Sequence, residues 1–469
     1  MARRETSIML SMNSKVLSSA IEFPIERPAA AAVLAAVILF PITHFKPFLG
    51  LKPSEVFFVL ALVLVLFNVI SKGARSLPSF FAQSAVVFLV ACMLSWLVSI
   101  ISVRTALVES RGLIYDIPFV NLLTVGRFVF GLGIVWTTVQ LIRTPDQARM
   151  LAKTHAIGGT LAALIGLGLY ALSVAGYNLD FPLFRQFGSK TGVWGIRLAG
   201  LAYEPGAFGN YFVSVVPITV AFYLSSKQHM GWWLLALTAQ GLALTLTFST
   251  GALGCTLLAI ALLLIAGSRH VKVSRFGLLI LTGIVLLSGI AAIIHWASIS
   301  YDQVYTIISK VGTESVNIRW ATNTYLLQMF LDRPLFGIGI GNFAHVFGLY
   351  TQGSTAGFPY IYPADWRANN DYLTILAETG LVGFACFAAF VLSILGEIIR
   401  VLRLSSGPDR LLCLGVACAI LGLLLQCWVA FTILNPYTWL LIGLLITTKR
   451  SLMPDSHHRG VGSADIPCG

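Results

Sequence analysis

The sequence predicts an all-α polytopic membrane protein of about twelve transmembrane helices with two large outer loops. Composition, the length of the apolar runs and the placement of basic residues carry that prediction. Of 469 residues, 57% are hydrophobic and only 11% are charged, and the mean hydropathy is +0.84. A soluble domain carries about 25% charged residues, so hydrocarbon is the solvent for most of this chain. The net charge of +12 then reflects membrane topology. No basic run is interleaved with exposed aromatics on a soluble module, which excludes a nucleic-acid partner.

Apolar windows long enough to span a bilayer fall near 28–45, 53–71, 80–103, 117–142, 151–176, 206–225, 231–249, 250–267, 275–296, 371–398, 410–432 and 436–449. Residues 1–27 are polar, and the first apolar stretch lacks a small-residue cleavage site, so it reads as a retained span behind a cytoplasmic segment. Only the Ser249–Gly251 turn separates the seventh and eighth windows. The spans and loops from 28 to 453 form a single integral-membrane domain, and 454–469 is a polar cytoplasmic tail. Cys92, Cys255, Cys386, Cys413, Cys418 and Cys427 lie in apolar spans and Cys468 in the tail. Their spacing fits neither a metal site nor a disulfide framework. No internal repeat is visible, which weighs against inverted-repeat transporters.

With both termini cytoplasmic, Lys and Arg divide as 19 inside and 11 outside, with Arg127 alone within a span. This satisfies the positive-inside rule and turns 177–205 and 297–370 outward. The first outer loop carries Arg185, Lys190, Arg197 and Glu204; the second carries Lys310, Glu314, Arg319, Asp332, Arg333, Asp365, Arg367 and, at its edge, Asp371. Long loops in polytopic proteins are usually functional. A basic rim with a few carboxylates suits a phosphorylated substrate at the outer membrane surface, and arginine's planar fork fits phosphate oxygens better than lysine.

Within the second loop, Trp320, Tyr325 or Leu326, Met329 and Phe330 fall at helical spacing. They predict an amphipathic helix at the membrane interface, with Arg319 at its start and Asp332-Arg333-Pro334 as its end. Gly337, Gly339 and Gly341 fit a phosphate-cradling loop or a flexible turn equally well, because the strand–helix context of a phosphate loop is missing.

Two strings in this loop, R-W-x(11)-D-x-P-L-F-G-I-G-x-G-N-F (Arg319–Phe343) and N-N-x-Y-L-x-I-L-A-E-T-G-L-V-G (Asn369–Gly383), resemble the shared outer-loop region of the O-antigen ligase and O-antigen/exopolysaccharide polymerase family. Upstream, R-L-A-G-L-A-Y-E-P-x-A-F-x-N-Y (Arg197–Tyr211) is similar to that family's preceding segment, and T-F-S-T-G-A-L-G (247–254) sits where members often read T-x-S-R-G.

The resemblance implies a bacterial inner-membrane glycosyltransferase that works at the periplasmic face without a metal or other cofactor. Its substrate would be an undecaprenyl-pyrophosphate-linked oligosaccharide, and its partners the bilayer, a chain-length-regulating co-polymerase and a flippase. On this reading Arg197 and Arg319 match family positions and stabilise the departing pyrophosphate. Glu204, Asp371, Glu378 and His345 are the groups available to take the acceptor's proton. Glu204 also suits the helix start marked by Pro205, and Glu378 is an acid at the edge of a span. Asn369, Asn370, Tyr372, Gly339 and Gly341 are the expected substrate-binding positions, joined by Arg127 as an intramembrane arginine. Ligases typically carry histidine where this chain has Asn369, and often arginine where it has Thr250. Both departures favour a polymerase over its rivals, transfer to lipid A–core by a ligase and lipid-linked oligosaccharide flipping by a transporter.

Overall fold

The computed structural model describes residues 26–43, 51–111, 117–175, 177, 197–226, 228–267, 283, 312–351, 368–404 and 410–452. Every regular element among them is a helix: α1 (Glu26–Ile38), α2 (Pro53–Lys72), α3 (Ser79–Arg111), α4 (Ile117–Leu141), α5 (Pro145–Val174), α6 (Pro205–Ser225), α7 (Met230–Leu246), α8 (Thr250–Gly267), α9 (Gly312–Asp332), α10 (Phe343–Tyr350), α11 (Asp371–Leu404), α12 (Arg410–Gln426) and α13 (Pro436–Leu452). Seven of these, α2–α6, α8 and α11, are long and apolar enough to cross a membrane; α1, α7, α12 and α13 are shorter apolar helices. The chain is a multi-pass membrane protein. Apart from Gly283, the span expected at 275–296 lies outside the described residues, as do Arg185, Lys190, Lys310, Asp365 and Arg367.

The helix boundaries follow local chemistry. Helix α5 starts six residues before its apolar window because Thr144, Pro145 and Gln147 form a capping box, with Thr144 Oγ1 accepting from the Gln147 amide at 3.3 Å. Helix α12 stops at Gln426 rather than at 432, where the chain turns through 427–435 before Pro436 opens α13. The helical window at 231–249 ends instead at Leu246, and α8 starts at Thr250.

Helix α6 is the hub. Eighteen of its 21 residues are buried, whereas the other long spans keep half or more of the residues in their most apolar stretch at least partly exposed. It packs against α7, α8, α12 and α5, while α11 lies on α3 and α13 on α4. Small residues permit these approaches: Gly131 on α4 faces the Trp439 indole, and Gly415 on α12 faces Ala221 and the Pro217 carbonyl on α6.

Helix α11 breaks at Gly380, where φ is +65° and ψ −168°. The break faces the 334–341 loop, and the two chains are stitched by backbone bonds. Ile338 N–H donates to Ala377 O at 2.9 Å, Gly339 N–H to Glu378 O at 2.9 Å, Leu381 N–H to Pro334 O at 2.8 Å and Val382 N–H to Leu335 O at 3.2 Å. Non-helical backbone in a membrane bundle needs such partners, because hydrocarbon supplies none. A Cβ on Gly337 or Gly380 would collide with the opposing main chain, so the close pairing depends on both glycines.

Over this break sits a small second core of Leu326, Met329, Ile338, Phe343, Val346, Phe347, Ala368 and Ala377. It joins α9, the glycine loop, α10 and the first half of α11. The opposite face of α9 leaves Trp320 and Leu331 exposed at 76% and 70%, with Leu327 exposed on the same face. Trp320 and Met329, expected on one apolar stripe, thus lie on opposite faces, since nine residues at about 100° each is half a turn beyond two full turns.

Candidate functional site

Arg197 opens the described segment before α6. Its Nε donates to the Thr247 carbonyl at 2.9 Å, and the next amide, Leu198 N–H, donates to Leu246 O at 2.9 Å. These are carbonyls at the C-terminal end of α7, which need donors and carry the negative end of the helix dipole. The arginine is thereby buried to 9% exposure, with its guanidinium tethered to the turn between α7 and α8.

Seven residues on, Glu204 is the N-cap of α6, ahead of Pro205, yet its side chain makes no capping hydrogen bond. Instead it accepts from Tyr203 and lies within the field of both Arg197 and Arg319. Arg319 enters from α9, and its buried Nε has no hydrogen-bond partner among the described residues. Two segments far apart in sequence therefore place Arg197, Glu204 and Arg319 in one electrostatic neighbourhood.

The charges answer to that neighbourhood. Burial pushes the Glu204 carboxyl above the ordinary glutamate range, while the Tyr203 hydrogen bond, Arg197 and Arg319 each pull it back. Burial lowers both guanidinium pKa values; Glu204 opposes that shift at each, and Arg319 adds to it at Arg197. Arginine stays protonated through such shifts. Two fixed cations and one carboxylate of raised basicity leave net positive charge, a setting that favours an anionic group.

The other expected residues sit elsewhere in the architecture. Asp371, 1% exposed, clasps the loop after α12: its Oδ2 accepts from the amides of Thr432 at 2.8 Å and Ile433 at 2.9 Å. Glu378, 2% exposed, accepts from the Phe343 amide at 3.0 Å and so caps α10. Asn370 caps α11, its Oδ1 accepting from Leu373 N–H at 3.1 Å, while Asn369 beside it is exposed. Tyr372 donates to Leu424 O at 2.8 Å and packs on the Trp428 ring at 4.8 Å. His345 lies half-buried on α10.

Gly339 and Gly341 have φ values of +99° and +79° and press against Ser99 on α3 and against Asn121 and Thr124 on α4. Their loop is wedged into the bundle rather than open as a cradle. Arg127 is exposed on α4, whose main neighbours are α2, α3 and α13.

Sequence reasoning missed the Thr247 carbonyl as the tether of Arg197. It also missed an amide pair: Gln426 Nε2 donates to Asn210 Oδ1 at 2.7 Å, linking α12 to α6. Backbone acceptors leave no residue-type signature, and the T-F-S-T-G run was the only pointer to this turn. Among the described residues no group of three or more His, Cys, Asp or Glu side chains is placed to hold a metal ion.

Residues 233–388 match the family model described as O-antigen ligase. The match takes in α7–α10 and the first half of α11, hence Arg319, Asp371 and Glu378, while Arg197 and Glu204 lie upstream and are joined to it by the geometry above. No curated protein matches the chain.

Proposed function

We propose that this chain, which carries the O-antigen ligase family domain over residues 233–388, is a polysaccharide polymerase. It joins undecaprenyl-pyrophosphate-linked oligosaccharide repeat units at the periplasmic face of the bacterial inner membrane. The observation that carries this reading is the convergence of Arg197, Glu204 and Arg319, from two segments far apart in sequence, beside helices long and apolar enough to span a membrane. A sugar leaving from pyrophosphate needs cations where negative charge develops and a base for the incoming hydroxyl.

In the reaction, an acceptor hydroxyl oxygen attacks the anomeric carbon of the donor sugar. The bond from that carbon to the pyrophosphate oxygen breaks, and the electron pair leaves with undecaprenyl pyrophosphate. Glu204 takes the hydroxyl proton, which its raised basicity favours. Arg197 and Arg319 neutralise the leaving group, using guanidinium forks that bind phosphate oxygens in pairs. Asp371, Glu378, Asn370 and Tyr372 hold the outer segments in place through the backbone bonds described above. Asn369, exposed at the mouth of α11, stays as a contact for the glycan.

Transfer to lipid A–core is the second reading. The exposed amide of Asn369, where ligases carry a histidine, favours the polymerase. The test is to offer purified protein lipid-linked repeat units alone and then with lipid A–core. Growth of a lipid-linked ladder supports the polymerase, and transfer confined to lipid A–core supports the ligase.

A further inference from the structure

Among the described residues, Phe248 is the one non-glycine residue with a positive φ, at +50°. It occupies the turn after α7, with its amide bonded to Thr245 O at 2.9 Å, a position where helices ordinarily place glycine. A Cβ in the left-handed region crowds the following carbonyl, so phenylalanine there costs energy that glycine would not. Among the described residues, no core packing offsets that cost. The ring is half-buried, belongs to neither hydrophobic core and makes no ring contact with another described residue. Its immediate neighbour is Thr247, whose carbonyl tethers Arg197. Strain that persists without local compensation is characteristic of functional sites.

We propose that Phe248 is a stacking platform for the pyranose ring of the lipid-linked glycan next to Arg197. This rests on the polymerase reading above and names a specificity contact within the same site. An aromatic face packs against the apolar C–H face of a sugar, and Phe248 directly follows Thr247, whose carbonyl holds the arginine that would receive the pyrophosphate. Glycine at this position would relax the backbone and remove the platform, which explains why the costlier residue is the one present.

The test compares Phe248→Gly, Phe248→Asn, Phe248→Tyr and Phe248→Trp in the full-length purified protein. Donors are lipid-linked repeat units isolated from host cells that lack the gene, and undecaprenyl pyrophosphate, which has no sugar, serves as inhibitor. Gly and Asn accept αL geometry, so both variants keep a Tm at or above that of the wild type. Their KM for repeat units rises roughly tenfold, the upper range for a single aromatic contact. Inhibition by undecaprenyl pyrophosphate stays unchanged, and Tyr and Trp restore the wild-type KM.

An unchanged KM in the Gly and Asn variants overturns the platform while leaving the polymerase reading intact. A fall in Tm that accounts for the lost activity makes the ring structural and overturns it too. Equal weakening of inhibitor and repeat unit assigns the ring to the lipid or phosphate instead. Absence of turnover by the wild-type protein removes the polymerase reading and the platform together.

Discussion

Arg197 Nε donates to the carbonyl of Thr247 at 2.9 Å, across fifty positions of sequence. One hydrogen bond thus satisfies a helix C-terminal carbonyl and fixes the plane of a buried guanidinium. Lysine carries the same charge but has neither the Nε donor nor the planar fork. Arg197→Lys and Arg197→Ala, and likewise Arg319→Lys and Arg319→Ala, are each expected to lower kcat/KM by about 100-fold or more, the loss typical of one transition-state donor. Steady-state rates on protein of matched abundance check this, and full activity in either Lys variant would separate charge from geometry.

Glu204 supplies a pH dependence with a defined sign. Its carboxyl is raised by burial, and as a base it must be ionised, so the rate falls as pH drops through a value above the ordinary glutamate range. Arg197 and Arg319 both oppose that rise. Arg319→Gln should therefore move the acid limb to still higher pH, and Glu204→Gln should abolish the limb together with most of the activity. A limb that stays fixed in Arg319→Gln would take Glu204 out of the reaction.

The broken helix makes a stability prediction independent of catalysis. Gly380→Ala places a side chain at φ +65° and against the Leu335 main chain, a strain of at least about 2 kcal/mol. Glu378→Ala leaves the buried Phe343 amide without its acceptor, at a cost of about 1–3 kcal/mol, whereas Glu378→Gln keeps an acceptor and is milder. Thermal unfolding in detergent should rank Gly380→Ala and Glu378→Ala below Glu378→Gln, and Glu378→Gln should retain activity.

Much of this architecture was legible in apolar length alone. The windows at 53–71 and 206–225 correspond closely to α2 and α6, and the stop at Asp332-Arg333-Pro334 is where α9 ends. The start of α9 was legible only in part, because Val316 and Ile318 are the only large apolar residues from Gly312 to Arg319 and make no helical stripe. The break at Gly380 was not legible, since A-E-T-G-L-V-G reads as continuous membrane helix until the 334–341 loop is seen to pair with it.

The candidate site divides the same way. Arg197, Glu204 and Arg319 stand out as charges in apolar surroundings and do come together. Asp371 and Glu378 stand out for the same reason, yet the structure uses their carboxylates to receive backbone amides. Residue type cannot distinguish a carboxylate awaiting a proton from one that fastens a loop; that difference lies in tertiary contacts.

Topology gives a further expectation. A bias of 19 basic residues inside to 11 outside would put both termini in the cytoplasm and the α9–α10 region in the periplasm. Alkaline phosphatase fused after Thr351 should be active, and a fusion after Arg403 inactive. The reverse pattern would invert the orientation and remove the periplasmic site.

The most direct test of the polymerase reading is reconstitution with one substrate. Purified protein, given only undecaprenyl-pyrophosphate-linked repeat units and no nucleotide, should produce a ladder of longer lipid-linked glycans, because the pyrophosphate bond already stores the energy for transfer. The Arg197→Ala/Arg319→Ala double variant, folded and at equal abundance, should produce none. Failure of the wild-type protein to extend these units, alongside efficient transfer of glycan to lipid A–core, would contradict the account and make the chain a ligase.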